Sequence, residues 1–280
     1  MAKGGTLGQS VESHYTVADL GGRILSALEN MGKDLNSLTV TDLALVDEFH
    51  IRGSEATQEL AEIAKLAPDL HVLDVGSGLG GSARYLAHEY GCRVTGIDLT
   101  EDYCHVATML SLRLGMDNRT EFRTGSALDM PFADGTFDLA WTEHVQMNIE
   151  DKKQFYSEIF RALKPGGRMV FHDVFQGQGG KVHFPVPWAD EASISFLDSP
   201  DEVSQLLSTV GFSSQSWANT TDISKNWFQA ASERMKNKGP LPLGLHVLMG
   251  VNATDKFGNM LRNLQEHRIA VIQAVFLKSA

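Results

Sequence analysis

The stretch VLDVGSGLGG at 72–81 places Gly76, Gly78 and Gly81 at the G-x-G-x-x-G spacing of a nucleotide-binding turn. An acid, Asp98, ends a second apolar run about twenty residues later, where a ribose-binding carboxylate is expected. Glycines at 76 and 78, with Ser77 between them, let the backbone turn sharply and approach a ligand closely. Asp98 can accept hydrogen bonds from two ribose hydroxyls. HFPVPWAD at 183–190 carries Trp188 on a proline-stiffened segment, an aromatic face able to meet a cation. Asp74 either braces the glycine turn or touches ligand. His50 reads as structural, and His172 with Asp173 as packing or loop-capping groups. No histidine pair has the i, i+4 spacing of a zinc helix, so no metal is expected.

These residues need a frame to hold them. HVLDV (71–75), CRVTGID (92–98), TEFRTG (120–125), FDLAWT (137–142) and RMVFHDV (168–174) are short apolar runs bounded by turn residues, and read as strands. Helical patterns at 82–90, 100–115 and 151–163 alternate with them. Strands alternating with helices predict a doubly wound α/β domain whose mostly parallel sheet is covered on both faces. In such sheets ligands sit beyond the carboxyl ends of the strands. Residues 1–66 read as a helical cap, 67–175 as the nucleoside-binding core, and 176–280 as a lid loop and a part that completes the sheet. That last part includes a helix at 201–211, a strand near 213–218, a helix near 255–267 and the terminal run AVIQAVFLK.

Composition narrows the class. A chain of 280 residues, 42% hydrophobic and 21% charged, suits a folded globular protein. A net charge of −11 argues against binding duplex nucleic acid. Two cysteines, Cys92 and Cys104, fit a reducing compartment, and no apolar run is long enough to span a membrane. A cytoplasmic protein is expected, with a homo-oligomer allowed.

Four segments, VLDVGSGLGG (72–81), GIDLT (96–100), GSALDMPFADGTFDLAW (125–141) and LKPGGRMVF (163–171), together resemble the class I S-adenosylmethionine-dependent methyltransferases. The resemblance implies a seven-stranded Rossmann-like sheet whose last strand is antiparallel. It also implies S-adenosylmethionine as cofactor and a small-molecule methyl acceptor as partner. Gly76, Ser77 and Gly78 would lie beside the methionine part, Asp98 on the ribose, and Leu99, Ser126 and Ala127 around the adenine. Glu143 would stand near the cofactor, and Tyr15 would fold over it from the helical cap.

HIRGSEATQELAEIA (50–64) and HFPVPWAD are similar to the sarcosine/dimethylglycine N-methyltransferases, which implies N-methylation of a glycine derivative. His144 and Trp188 would then act on the acceptor, with Arg23 or Arg52 pairing its carboxylate. Where that family carries a Gln-Asp pair and a later histidine, this chain has Glu143, His144 and Asn148. The alternative is C- or O-methylation of a quinone, sterol or other lipid-like acceptor, for which LPLGLHVLMGV (241–251) would line a channel. A non-catalytic nucleoside-binding module is the reading from a different class. A nicotinamide dehydrogenase is disfavoured, because no second nucleotide-binding pattern follows the first.

Overall fold

The computed structural model describes residues 6–238, 243–244, 246–249 and 252–279. Four helices come first: α1 (Leu7–Tyr15), α2 (Leu20–Asn30), α3 (Val40–Asp47) and α4 (Ser54–Ala64). Thr6 and Thr39 start α1 and α3 with reciprocal capping boxes, satisfying amides that would otherwise lack partners. The sheet then builds through β1 (His71–Val75), α5 (Gly81–Tyr90), β2 (Arg93–Asp98), α6 (Glu101–Arg113), β3 (Thr120–Thr124) and β4 (Phe137–Glu143). A short 3-10 turn at Gln146–Asn148 leads to α7 (Lys152–Ala162) and β5 (Leu163–Gln176). After a loop come α8 (Pro200–Val210), β6 (Phe212–Asn219), α9 (Thr221–Lys238), α10 (His246–Met249), α11 (Ala253–Gln265) and β7 (Ile269–Lys278).

The seven strands run in the order β3-β2-β1-β4-β5-β7-β6, with β7 antiparallel to both neighbours. The expected doubly wound sheet is therefore present. Alternation along each strand feeds two cores. In β1, Leu73 and Val75 pack with the α7 and α8 side, while Val72 packs with α4 and α5. β4 keeps Phe137 and Ala140 on one side and Leu139 and Trp141 on the other, because its register shifts between Phe137 and Leu139. β5 begins at Leu163, five residues before the sequence pattern places it. Leu163 already pairs with Phe137, so the Pro-Gly-Gly segment joins the strand instead of preceding it.

The strand order reverses at β1, flanked by β2 and β4. That leaves a crevice beyond the carboxyl ends of β1, β2 and β4. The N-terminal helices meet the sheet domain at a buried joint, among other contacts. Arg84 of α5, fully buried, donates to Asp47 Oδ1 of α3 at 2.6 Å, and to Ala107 O and Ser111 Oγ of α6 at 3.3 Å. Next to it, a Cβ at Gly81 would sit 2.2 Å from the Asp47 carbonyl oxygen, so only glycine lets α5 approach α3 this closely. Among the described residues no helix is long and apolar enough to cross a membrane.

Candidate functional site

Beyond β1 the chain turns through Gly76 and Gly78, whose φ angles of 74° and 52° lie in the left-handed region. Gly76 N and Ser77 N both donate to Ile97 O of β2, at 2.8 and 3.1 Å. The two glycines differ in what surrounds them. A Cβ at Gly76 would stand 2.3 Å from Val145, inside the protein, whereas one at Gly78 meets nothing within 4 Å. The open side of the turn is thus over Gly78. Asp98 lies beneath it: Oδ2 accepts from Gly78 N at 2.8 Å and Oδ1 from Thr100 N at 2.9 Å. Burial raises the Asp98 pKa, opposed by these backbone donors. Each oxygen keeps a further lone pair for a ligand hydroxyl.

One cavity of about 340 Å³ gathers all the predicted site residues: Tyr15, Gly76, Ser77, Gly78, Asp98, Leu99, Ser126, Ala127, Glu143, His144 and Trp188. They come from α1, four strand ends and the 183–190 loop, and only the fold joins them. Glu143 Oε2 accepts from Ser82 Oγ at 2.6 Å and Trp141 Nε1 at 2.8 Å, while its Oε1 is buried without a hydrogen-bond partner. Tyr15 donates to Asn148 Oδ1 at 2.8 Å, and Asn148 Nδ2 donates to Trp188 O and Ile194 O at 2.9 and 2.8 Å. Trp188 is buried, with its Nε1 donating to Ser195 Oγ at 2.9 Å. The first and last of the predicted contacts are therefore tied through one asparagine.

Three histidines surround the backbone of one residue, Ile51. Ile51 N donates to His144 Nε2 at 3.4 Å, and Ile51 O meets His172 Nε2 at 3.0 Å and His50 Nδ1 at 3.4 Å. His144 adopts a φ of 53°, and its own amide donates to His172 O at 2.9 Å. Burial, then His172 and His50, push the His144 pKa well below its ordinary value. The ring is neutral, and because Nε2 accepts from Ile51, the proton sits on Nδ1. His172 is lowered to about 3, chiefly by burial and then by His50.

His50 is the opposite case. Burial works against its charge but is outweighed by Glu143 and Glu48, so its pKa rises to about 9. Nε2 lies 2.7 Å from Glu48 Oε2 and 3.5 Å from Glu143 Oε1. Both nitrogens face acceptors, which describes an imidazolium between two carboxylates. Among the described residues, Glu48, His50 and Glu143 also have the donor types and spacing to hold a metal ion, their ligand atoms lying within 4.8 Å of one another. A metal there would have to displace the Nε2 proton. Sequence spacing hides this cluster, because Glu143 is on β4 and the other two precede α4.

The remaining candidates divide. Asp74 lines the cavity, 3% exposed, with Oδ2 unpartnered. Asp173 caps the 146–148 turn, Oδ2 accepting from Val145 N and Gln146 N at 3.0 and 3.1 Å, as a loop-capping role requires. His50, read from the sequence as structural, lines the cavity. Arg23 and Arg52 do not line it, and Arg52 is buried against Glu59. Of the 241–251 segment, Leu248 and Met249 line the cavity; 241–242, 245 and 250–251 lie outside the described residues. Sequence reasoning missed α9, which supplies Trp227 and Phe228. A signal was present: Ser224, Phe228 and Ala231 are buried at i, i+4 and i+7, a helical face.

Residues 73–171 match a family model described as a methyltransferase domain. A sarcosine/dimethylglycine N-methyltransferase of Halorhodospira halochloris is 30% identical over 178 residues, 63% of this chain and 64% of that one. A glycine/sarcosine/dimethylglycine N-methyltransferase of Actinopolyspora halophila is 32% identical over 160 residues, 57% of this chain and 28% of that one. The matches thus span less than two thirds of either relative. The solved geranyl diphosphate C-methyltransferase of Streptomyces coelicolor A3(2), which holds Mg2+, geranyl-S-thiolodiphosphate and S-adenosyl-L-homocysteine, superposes with a TM-score of 0.72. Its 17% identity over 99% of this chain and 100% of that chain is a likeness of fold. The segment 73–171 thus matches a methyltransferase domain, and the solved relative shares its fold.

Proposed function

We propose that the chain is an S-adenosylmethionine-dependent methyltransferase acting on a small molecule. The observation that carries this is the single cavity in which an open glycine turn, a ribose-type acid and the Glu143-His144 end of β4 face one another. The geometry fits the cofactor: the space over Gly78 is free, and Asp98 keeps accepting capacity toward it. When bound, S-adenosylmethionine supplies a methyl group already activated by its positive sulfur. The protein's task is therefore alignment and exclusion of water rather than covalent chemistry.

In this reading Asp98 holds the ribose hydroxyls, Leu99, Ser126 and Ala127 flank the adenine, and Gly76, Ser77 and Gly78 meet the methionine part. Tyr15 closes over the cofactor, and Glu143 places a carboxylate near the positive sulfur. His144, neutral, presents its Nδ1–H to orient the acceptor. Trp188 walls the acceptor side.

The relatives' names support a glycine derivative such as sarcosine or dimethylglycine as acceptor, methylated on nitrogen. A specific observation favours a second reading, a lipid-like acceptor methylated on carbon or oxygen: the apolar side chains of Leu248 and Met249 are among the cavity's walls.

The test is titration calorimetry with S-adenosylhomocysteine and NAD, followed by incubation with labelled S-adenosylmethionine and an acceptor panel read by mass spectrometry. Binding of the first ligand alone, with label transfer to at least one acceptor, is expected. Tight NAD binding would turn the reading toward a dehydrogenase. S-adenosylhomocysteine binding without transfer to any acceptor would leave a nucleoside-binding module.

A further inference from the structure

The cavity has two chemistries. Polar groups line it at the strand ends. Trp188, Trp227, Phe228, Phe257 and Met260, which also line it, belong to one apolar cluster. The Trp188 indole N–H is already committed to Ser195. Large aromatic rings and flexible thioethers offer contact area to a hydrocarbon body and no specific polar partner.

Charge along the lining is one-sided. Among the described residues, the groups charged in their ordinary state are six carboxylates, two of them Asp98 and Glu143; no lysine or arginine lines the cavity. The one cationic ring, His50, already stands between Glu48 and Glu143. Basic side chains buried nearby face other partners: Arg84 faces Asp47, Lys152 faces Ile149 O and Lys256 faces Asp190. Arg52, paired with Glu59 through Nη2 and unpartnered at Nε and Nη1, does not line the cavity. A carboxylate or phosphate brought into this cavity would lose its water and find no cation on the lining.

We infer that the methyl acceptor carries a bulky apolar body, seated between α9, α11 and the 183–190 loop, and no anionic group. This rests on the methyltransferase reading and selects within it. The reacting atom is delivered to the Glu143-His144 end, while the body of the molecule remains among the aromatic and methionine side chains. Molecules whose recognition depends on a carboxylate or phosphate find no partner.

The experiment titrates the purified protein with the neutral fluorescent probe N-phenyl-1-naphthylamine, with and without S-adenosylhomocysteine. Geraniol, decylubiquinol, sarcosine, dimethylglycine and phosphoethanolamine are then offered as competitors and as acceptors of labelled methyl. Probe binding displaced by at least one uncharged apolar compound, and by none of the three anion-bearing amines, is expected. Phe257→Arg, at a half-buried position, should weaken probe binding tenfold or more and leave S-adenosylhomocysteine affinity within twofold. Trp227→Ala, which adds no charge, should weaken the probe severalfold. The inference is overturned if the probe does not bind, if both variants bind it as wild type does, or if an anion-bearing amine is methylated faster than every apolar compound. Failure of S-adenosylhomocysteine to bind would instead overturn the methyltransferase reading, and probe displacement would still judge the acceptor class.

Discussion

The two ends of the cavity are built by different means. At the end proposed for the cofactor, consecutive backbone groups do most of the work: Gly76, Ser77 and Gly78 are fixed by Ile97 O and by Asp98, where β1 and β2 end. At the end proposed for the acceptor, side chains from α1, the 183–190 loop, α9 and α11 line the cavity, each far from the others in sequence. A backbone-built site tolerates little local change but is indifferent to distant surface changes. A side-chain-built site can be reshaped one residue at a time. Substrate change in such a fold is thus concentrated at the acceptor end.

The joint between the helical cap and the sheet gives the largest way to break this arrangement. Arg84→Ala leaves Asp47 buried without its partner, and loss of such a partner costs about 3–5 kcal/mol. Urea denaturation should show that loss. The double change Arg84→Met with Asp47→Leu should recover most of it, since replacing both charges removes the desolvation penalty. A single variant as stable as wild type would mean that the cap is held by apolar packing alone.

The imidazolium at His50 should make the joined region sensitive to pH. Its folded pKa, about 9, lies above the ordinary value of 6.5. Its stabilisation is therefore complete below pH 6.5 and is lost as pH rises toward 9, a change on the order of 3 kcal/mol. His144 and His172 have depressed pKa values and act on the other side: their contribution is present above pH 6.5 and is lost as pH falls. Denaturation measured from pH 5 to 9 should give maximal stability near 6.5. His50→Gln should flatten the alkaline limb. An unchanged limb in that variant would place the titration elsewhere.

The contrast between the ends is sharpened by a matched pair of variants. His144→Asn keeps a residue that tolerates the left-handed backbone and removes the ring. Turnover on the true acceptor should fall roughly a hundredfold, with S-adenosylhomocysteine affinity unchanged. Asp98→Ala should do the reverse, weakening the cofactor about 10–150-fold, or about 1.5–3 kcal/mol. Calorimetry and steady-state kinetics separate the two. If both variants lost cofactor affinity equally, the two ends would not be functionally distinct.

The same contrast explains what could be read in advance. The glycine turn and its neighbouring acid were legible because their determinants are local: glycines at fixed offsets, an acid ending the next strand, and apolar runs punctuated by turns. The doubly wound sheet followed from that pattern, and its antiparallel last strand from the resemblance to the methyltransferases. The acceptor end was not legible in the same way. Trp188 could be singled out on its loop, but α9 reads as a polar segment, and its buried face, including Phe228, is thin. The Glu48–His50–Glu143 cluster depends on the chain returning to one place across more than ninety residues, which no local spacing encodes. Arg23 and Arg52 were reasonable partners for a carboxylate in sequence; neither lines the cavity.

The smallest expected effect tests whether the two ends communicate. Tyr15 stands edge-on to Phe49 and Tyr103, with centroids 6.3 and 6.2 Å away, and its hydroxyl reaches Asn148. Asn148 in turn holds the carbonyls of Trp188 and Ile194. Tyr15→Phe keeps the ring packing and deletes one hydrogen bond, leaving Asn148 Oδ1 without that donor. The loss should be about 0.5–1.5 kcal/mol, or roughly a two- to tenfold effect. Because α1 covers the cavity, this should appear as faster release of S-adenosylhomocysteine in stopped-flow displacement, with little change in urea stability. Because the same asparagine anchors the Trp188 loop, the apparent KM for the acceptor should rise by a similar factor. A change in release alone would show that Tyr15 serves the cofactor end only, and that Asn148 holds the loop without help from α1.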